Sequence, residues 1–177
     1  MNPEELISLT CCQGQTVDGV AAILGAVDDR VVMLDWDAAD AAAYEVHEEE
    51  GTPCTALIGP LGEWVLTYEM DAGWRGENRL TELSADGKAV ALFVGPTACT
   101  FQYAVAGEVV TRLVSYGPAS REGARPDALD DLMRDLVWGD DREFASAGLT
   151  LAERLTGERF DWDWFTRKRR FVVYDPD

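Results

Sequence analysis

Between Thr55 and Ser115 the chain returns five times to a short apolar or alternating run, and after Pro126 it never does so again until the tail. The runs are Thr55–Ile58, Glu63–Met70, Ala89–Val94, Thr100–Val105 and Val109–Ser115. In the second, Trp64, Leu66 and Tyr68 share one side and Val65, Thr67 and Glu69 the other, a period of two that only a strand satisfies. Ala89–Val94 is apolar on both sides, which suits a central strand. Gly59-Pro60-Leu61-Gly62 and Ala106-Gly107-Glu108 supply turns between neighbouring runs. Beyond Pro126 the period becomes helical, with Leu129, Leu132, Met133 and Leu136 in one stripe and Phe144, Ala147, Leu151 and Leu155 in the next. Strands followed by helices predict an α+β domain: an antiparallel sheet of about five to six strands with helices packed on one side or end.

Upstream of this block, Leu6–Cys12 and Val31–Leu34 have the composition of strands. Thr16 is placed to cap a helix carrying Val17, Val20, Ala21 and Leu24, and Gly25 to end it. Asp37–Glu50 reads as an alanine-rich acidic helix stopped by Gly51-Thr52-Pro53. Glu77–Leu83 has room for a short helix, and Phe160–Tyr174 is aromatic and basic without a clear period. The 177 residues fit one domain, 1–177, with an acidic portion 1–74 and a helical and tail portion 126–177.

Charge divides along the same line. The chain holds 33 acidic and 15 basic side chains, a formal charge of −18. Residues 1–74 contain 15 of the acids and a single base, Arg30, whereas four bases stand together at Arg167–Arg170. So acidic a surface disfavours nucleic acid and anionic membranes, both of which require Lys and Arg. No apolar run is long enough to span a bilayer, the first residues lack the basic stretch of a signal peptide, and a cytoplasmic location is expected.

Catalytic and metal motifs are scarce. Cys11, Cys12, Cys54 and Cys99 form no C-x-x-C pair and read as buried thiols of a reducing compartment. His47 is the one histidine and is flanked by carboxylates, the setting of a surface residue on an acidic helix. Its spacing to Cys54 matches no structural zinc pattern. Phosphate-binding and nucleophile-elbow signatures are missing from the sequence. No cofactor or metal is expected, and catalysis is not the favoured reading.

One resemblance extends over about two thirds of the chain. It is carried by Gly62-Glu63-Trp64 leading to Glu69 and Gly73-Trp74-Arg75-Gly76, then Leu83-Ser84-Ala85-Asp86-Gly87, Phe101-Gln102-Tyr103-Ala104 leading to Gly107, Arg121–Leu129, and Leu149–Gly157. Over Trp64–Gly157, and more weakly over Leu9–Gly25, the sequence resembles a family of mostly actinobacterial proteins labelled only as a domain of unknown function. The resemblance implies no activity. Within it, Glu69, Trp74, Arg75, Arg121 and Arg125 are the residues least needed by the backbone, so they form a candidate ligand cluster, with a structural ion-paired cluster as the plainer alternative.

The acidic helix yields the sharper expectation. Asp35, Trp36, Asp37, Asp40, Tyr44, Glu45, Glu48 and Glu49 combine carboxylates with aromatic anchors of the kind interfaces favour. They point to a non-catalytic protein-binding domain, an immunity-like or antitoxin-like inhibitor engaging a basic protein partner. The alternatives are an enzyme with a site near Glu69, Trp74 and Arg75, and a homo-oligomeric structural protein joined through the aromatic tail.

Overall fold

The computed structural model describes residues 7–26, 31–50, 53–70, 75–95, 98–114 and 120–175, without the side chains of residues 48–50, 75 and 76. Its centre is β1 (Ile7–Gln13), whose two edges are taken by different parts of the chain. One edge pairs with β4 (Trp64–Glu69), the returning arm of a hairpin with β3 (Cys54–Leu61). The other pairs with β5 (Lys88–Val94), which continues through β6 (Cys99–Val105) and β7 (Glu108–Val114) to the short β8 (Arg121–Glu122). On the far side β9 (Arg169–Tyr174) inserts between β3 and β2 (Val32–Leu34).

The result is one open sheet of nine strands among the described residues, ordered β2-β9-β3-β4-β1-β5-β6-β7-β8, with every neighbouring pair antiparallel. This overturns the expected sheet of five to six strands with helices on one side or end. The tail supplies an interior strand that its composition did not announce, and both faces of the sheet are covered. The β3–β4 turn also differs from expectation: β3 runs on through Leu61, and Gly62 (φ +58°) with Glu63 makes a two-residue turn.

Alternation explains the two layers. Ile7, Leu9, Cys11, Leu57, Leu66, Tyr68, Val90, Leu92, Phe101 and Leu113 face one way. Against them pack α2 (Trp36–Glu50), α5 (Asp130–Met133), α6 (Asp141–Thr156) and α7 (Trp162–Thr166). Helix α6 begins with a capping box in which Asp140 accepts from the Glu143 N–H at 3.0 Å, and it ends on left-handed Gly157. It lies so close to β5 that a β-carbon on Gly148 would sit 2.5 Å from the Leu92 side chain.

The opposite face is built from smaller residues, Cys12, Ala56, Val65, Ala89, Ala91 and Ala104 among them. Their size lets α1 (Val17–Leu24) and α4 (Leu80–Leu83) seat Val20, Leu24, Leu80 and Leu83 directly on the strands. Helix α3 (Arg75–Asn78) precedes α4 and lies over β1 and β5. Thr16 accepts from the Gly19 N–H at 3.0 Å and Gly25 adopts φ +82°, the start and stop that the sequence predicts for α1.

All four cysteines are reduced thiols. Burial pushes Cys12 up to about 12. For Cys99 burial, reinforced by its contact with the Asp141 carboxylate, gives about 11. Unfolding returns such a thiol to its ordinary value near 9.0. Between those values the unfolded chain has lost a proton that the folded chain keeps, so stability falls as pH rises through the window. Urea midpoints should therefore drop between about pH 9 and about pH 11, and Cys99→Ala should flatten that drop. A midpoint slope unchanged by the substitution would show that Cys99 contributes nothing to it.

Candidate functional site

Helix α2 presents two unlike sides. Asp35 accepts from the Ala38 N–H at 3.1 Å and so satisfies a donor at the helix start. Ala39 and Ala43, one turn apart, are buried against the sheet. Trp36 is half-buried and fixes the helix through its ring, 5.3 Å from Tyr68, 5.4 Å from Phe165 and 5.8 Å from Trp162. Asp37, Asp40, Ala41, Tyr44 and Glu45 recur at three- and four-residue spacing, and all are exposed.

Among the described residues no cation pairs with Asp37, Asp40 or Glu45. Tyr44 stands in this stripe with 67% of its surface open to solvent. It borders a shallow depression of about 620 Å³ shared with Asp40, Glu45, His47 and Met70. His47 Nδ1 lies 3.1 Å from the Ala43 carbonyl, within its own helix. Trp162, 53% exposed, extends the aromatic patch beside the N-terminal end of α2. The side chains of Glu48 and Glu49 lie outside the described residues.

Of the second candidate cluster, Glu69 lies far from Arg121 and Arg125. Glu69 is buried on the α1/α4 face of the sheet and accepts a hydrogen bond from the Tyr174 hydroxyl at 2.8 Å. Arg121 lies on β8, opposite Leu113 of the other face, and pairs with Asp130 and, at 3.5 Å, with Asp127. Four strands intervene between β4 and β8, a separation of roughly 24 Å at the usual strand spacing. The Arg125 carbonyl accepts from Thr111 Oγ1 at 2.9 Å, close to Arg121 and remote from Glu69. Trp74 and the Arg75 side chain lie outside the described residues.

Just after that segment the structure places a polar group which sequence reasoning missed. The Glu77 carboxylate accepts from Thr100 Oγ1 at 2.7 Å and from the Gln102 amide, with Arg112 Nη2 at 3.8 Å. Thr100 and Gln102 are buried. The sequence carries a signal for them: Thr100 and Gln102 alternate with Phe101 and Tyr103, and polar side chains buried on a covered face require a partner. Among the described residues no group of three or more His, Cys, Asp or Glu side chains is arranged to hold a metal ion. No described helix is long and apolar enough to cross a membrane.

The tail cations divide their partners. Arg170 pairs with Asp18 of α1, while the Arg169 guanidinium lies 4.7 Å from the Trp164 ring centroid and its Nε donates to the Trp164 carbonyl at 3.1 Å. Trp164 and Phe165 are buried, and Trp164 Nε1 donates to the Pro60 carbonyl at 3.0 Å. The aromatic tail thus closes the core and leaves Trp162 outside it.

Comparison with curated proteins and with solved structures gives no match. Residues 3–169 match a family of unknown function, DUF6461, which takes in both the acidic stripe of α2 and the Glu77 cluster. With nearly its whole length matched, the chain belongs to the DUF6461 family.

Proposed function

We propose that this chain is a cytoplasmic, non-enzymatic protein-binding domain, immunity-like or antitoxin-like in action, whose α2 face engages a basic protein partner. The observation that carries the reading is the exposed stripe Asp37, Asp40, Tyr44 and Glu45, which lacks neutralising cations among the described residues while Trp36 pins the helix beneath it. Carboxylates in this arrangement repel one another by a few tenths of a kcal/mol per pair. A cationic surface relieves that repulsion and is steered toward it over long range. Tyr44 and Trp162 are rigid aromatic anchors of the type that dominate interface energetics. The enzyme reading centred on Glu69 has weaker support, because that carboxylate is 2% exposed and engaged by Tyr174.

The test uses the triple variant Asp37→Lys, Asp40→Lys, Glu45→Lys. A partner isolated on the wild-type protein at low salt and then purified should have a high isoelectric point. Its Kd should weaken at least about tenfold against the variant, and also against the wild type when salt is raised. A partner that binds both proteins equally, at low and high salt alike, would sink the proposal.

A further inference from the structure

Arg169 leaves β9 one step beyond the Ile58↔Arg170 pair and crosses β3 at Gly59. A β-carbon at Gly59 would collide with the Arg169 side chain, so glycine is what admits this path. Beyond it, Nε donates to the Trp164 carbonyl at 3.1 Å and the guanidinium lies 4.7 Å from the Trp164 ring centroid. The group is fixed on one side, yet its two terminal nitrogens make no hydrogen bond or ion pair among the described residues. Burial holds Arg169 below the ordinary arginine range, and the charge of Arg167 pushes the same way. A half-buried charge without a counterion is costly, and an arginine held like this offers a rigid fork to a carboxylate.

The fork lines a groove of about 290 Å³ beside the β3–β4 turn. Arg159, Arg167 and Arg169 line it together with Glu158, Asp161 and Asp163. The charges balance in number, yet none of the six forms an ion pair among the described residues. Asp161 is engaged as the cap of α7, accepting from the Trp164 N–H at 3.3 Å. Glu158 stands against Gly62, where a β-carbon would strike its carboxylate. Gly59 and Gly62 are at most roughly 10 Å apart along the extended chain, and Pro60 and Leu61 lie between them. The groove thus has a guanidinium toward one end, a carboxylate toward the other, and an apolar floor.

We infer that this groove binds a small zwitterion whose carboxylate and ammonium are separated by an apolar spacer. The carboxylate meets the Arg169 fork with Arg167 beside it, the spacer lies over Pro60 and Leu61, and the ammonium meets Glu158. Such a ligand supplies a counterion to each end of a groove whose own charges stay apart. A simple anion or a simple cation satisfies one end only and meets like charge at the other, which sets the specificity. No residue of α2 lines the groove, so this ligand and the basic partner proposed above stand or fall separately.

The probe is ε-aminocaproic acid, with caproate and hexylamine as controls that each lack one charge. Binding to the full chain at low salt is followed through the indole N–H resonance of Trp164, whose Nε1 donates to the Pro60 carbonyl at 3.0 Å. ε-Aminocaproic acid should shift that resonance saturably, and each control should bind at least about tenfold more weakly. Glu158→Gln should weaken ε-aminocaproic acid by a similar factor without weakening caproate. Arg169→Lys keeps the charge but loses the fork, and should weaken both. If that variant does not fold, Arg167→Gln reads the same end from an exposed position. Equal binding of ε-aminocaproic acid and caproate overturns the inference, because the groove would then recognise an anion alone. Equal binding of ε-aminocaproic acid and hexylamine overturns it likewise, as does the lack of any shift at about 10 mM.

Discussion

Phe165→Ala should destabilise the protein by about 3–5 kcal/mol, the range for truncating a buried aromatic. Phe165 is 3% exposed and stands at the crossing of four rings: Trp36 at 5.4 Å, Tyr68 at 5.2 Å, Trp162 at 5.5 Å and Trp164 at 5.0 Å. Three of these contacts are edge-on, a geometry that adds to the simple burial of apolar area. Alanine would leave a cavity bounded in part by the buried rings of Tyr68 and Trp164, the latter tied to the Pro60 carbonyl, so collapse would recover little. In a chain of this length the melting temperature should fall on the order of 10 °C. Because Trp36 loses part of its seat, α2 should loosen as well, so binding of a basic partner should weaken even at temperatures where the variant stays folded. Phe165→Leu, which keeps most of the volume, should restore much of both. A variant as stable as the wild type would show that the aromatic cluster contributes little to the fold.

Glu77→Ala is expected to have the next largest effect, about 3 kcal/mol, through a different mechanism. The carboxylate gathers the Thr100 hydroxyl and the Gln102 amide from β6 and faces Arg112 of β7. Removing it strands two buried donors, each costing about 1–3 kcal/mol when left without an acceptor. Helix α3 also loses its tie to the sheet. Glu77→Gln keeps one acceptor but brings a second amide toward that of Gln102, so it should recover part of the loss and no more. The double variant Glu77→Ala, Gln102→Leu should be more stable than Glu77→Ala alone, because it removes an orphaned group instead of creating one. Urea unfolding of the three proteins measures this. The same stability for the single and the double variant would mean that Gln102 is not stranded.

Much of the secondary structure is legible from local pattern because the residues that set it are neighbours. Thr16 and Gly25 bracket α1, and the stripe Phe144, Ala147 and Leu151 with Gly157 defines the body and end of α6. The size of the sheet is not legible in this way. β9 reads as an aromatic and basic tail because its alternation, with Phe171 to one face and Val172 and Tyr174 to the other, makes sense only beside β3. Covering of both faces is hidden for a similar reason. Ala89, Ala91 and Ala104 look unremarkable in sequence, yet their small size is what admits α1 and α4. At the acidic helix, spacing alone places Asp37, Asp40, Tyr44 and Glu45 on one side. Glu69 and Arg121 both look dispensable to the backbone, and no local signal reports that four strands stand between them.

The position of β9 has a consequence for how the chain acquires its shape during synthesis. β3 is made about a hundred residues before the strand that covers its outer edge, and among the described residues β2 has no sheet partner other than β9. Until Arg169–Tyr174 has been made, the outer edge of β3 lacks the strand that covers it and β2 lacks the strand it joins. Contacts of such high sequence separation form slowly, and unpaired edges invite wrong partners while they wait. The nascent chain must therefore pass through a late closing step, which joins β9 to some of its earliest elements and makes Arg169–Tyr174 the gate to the native state.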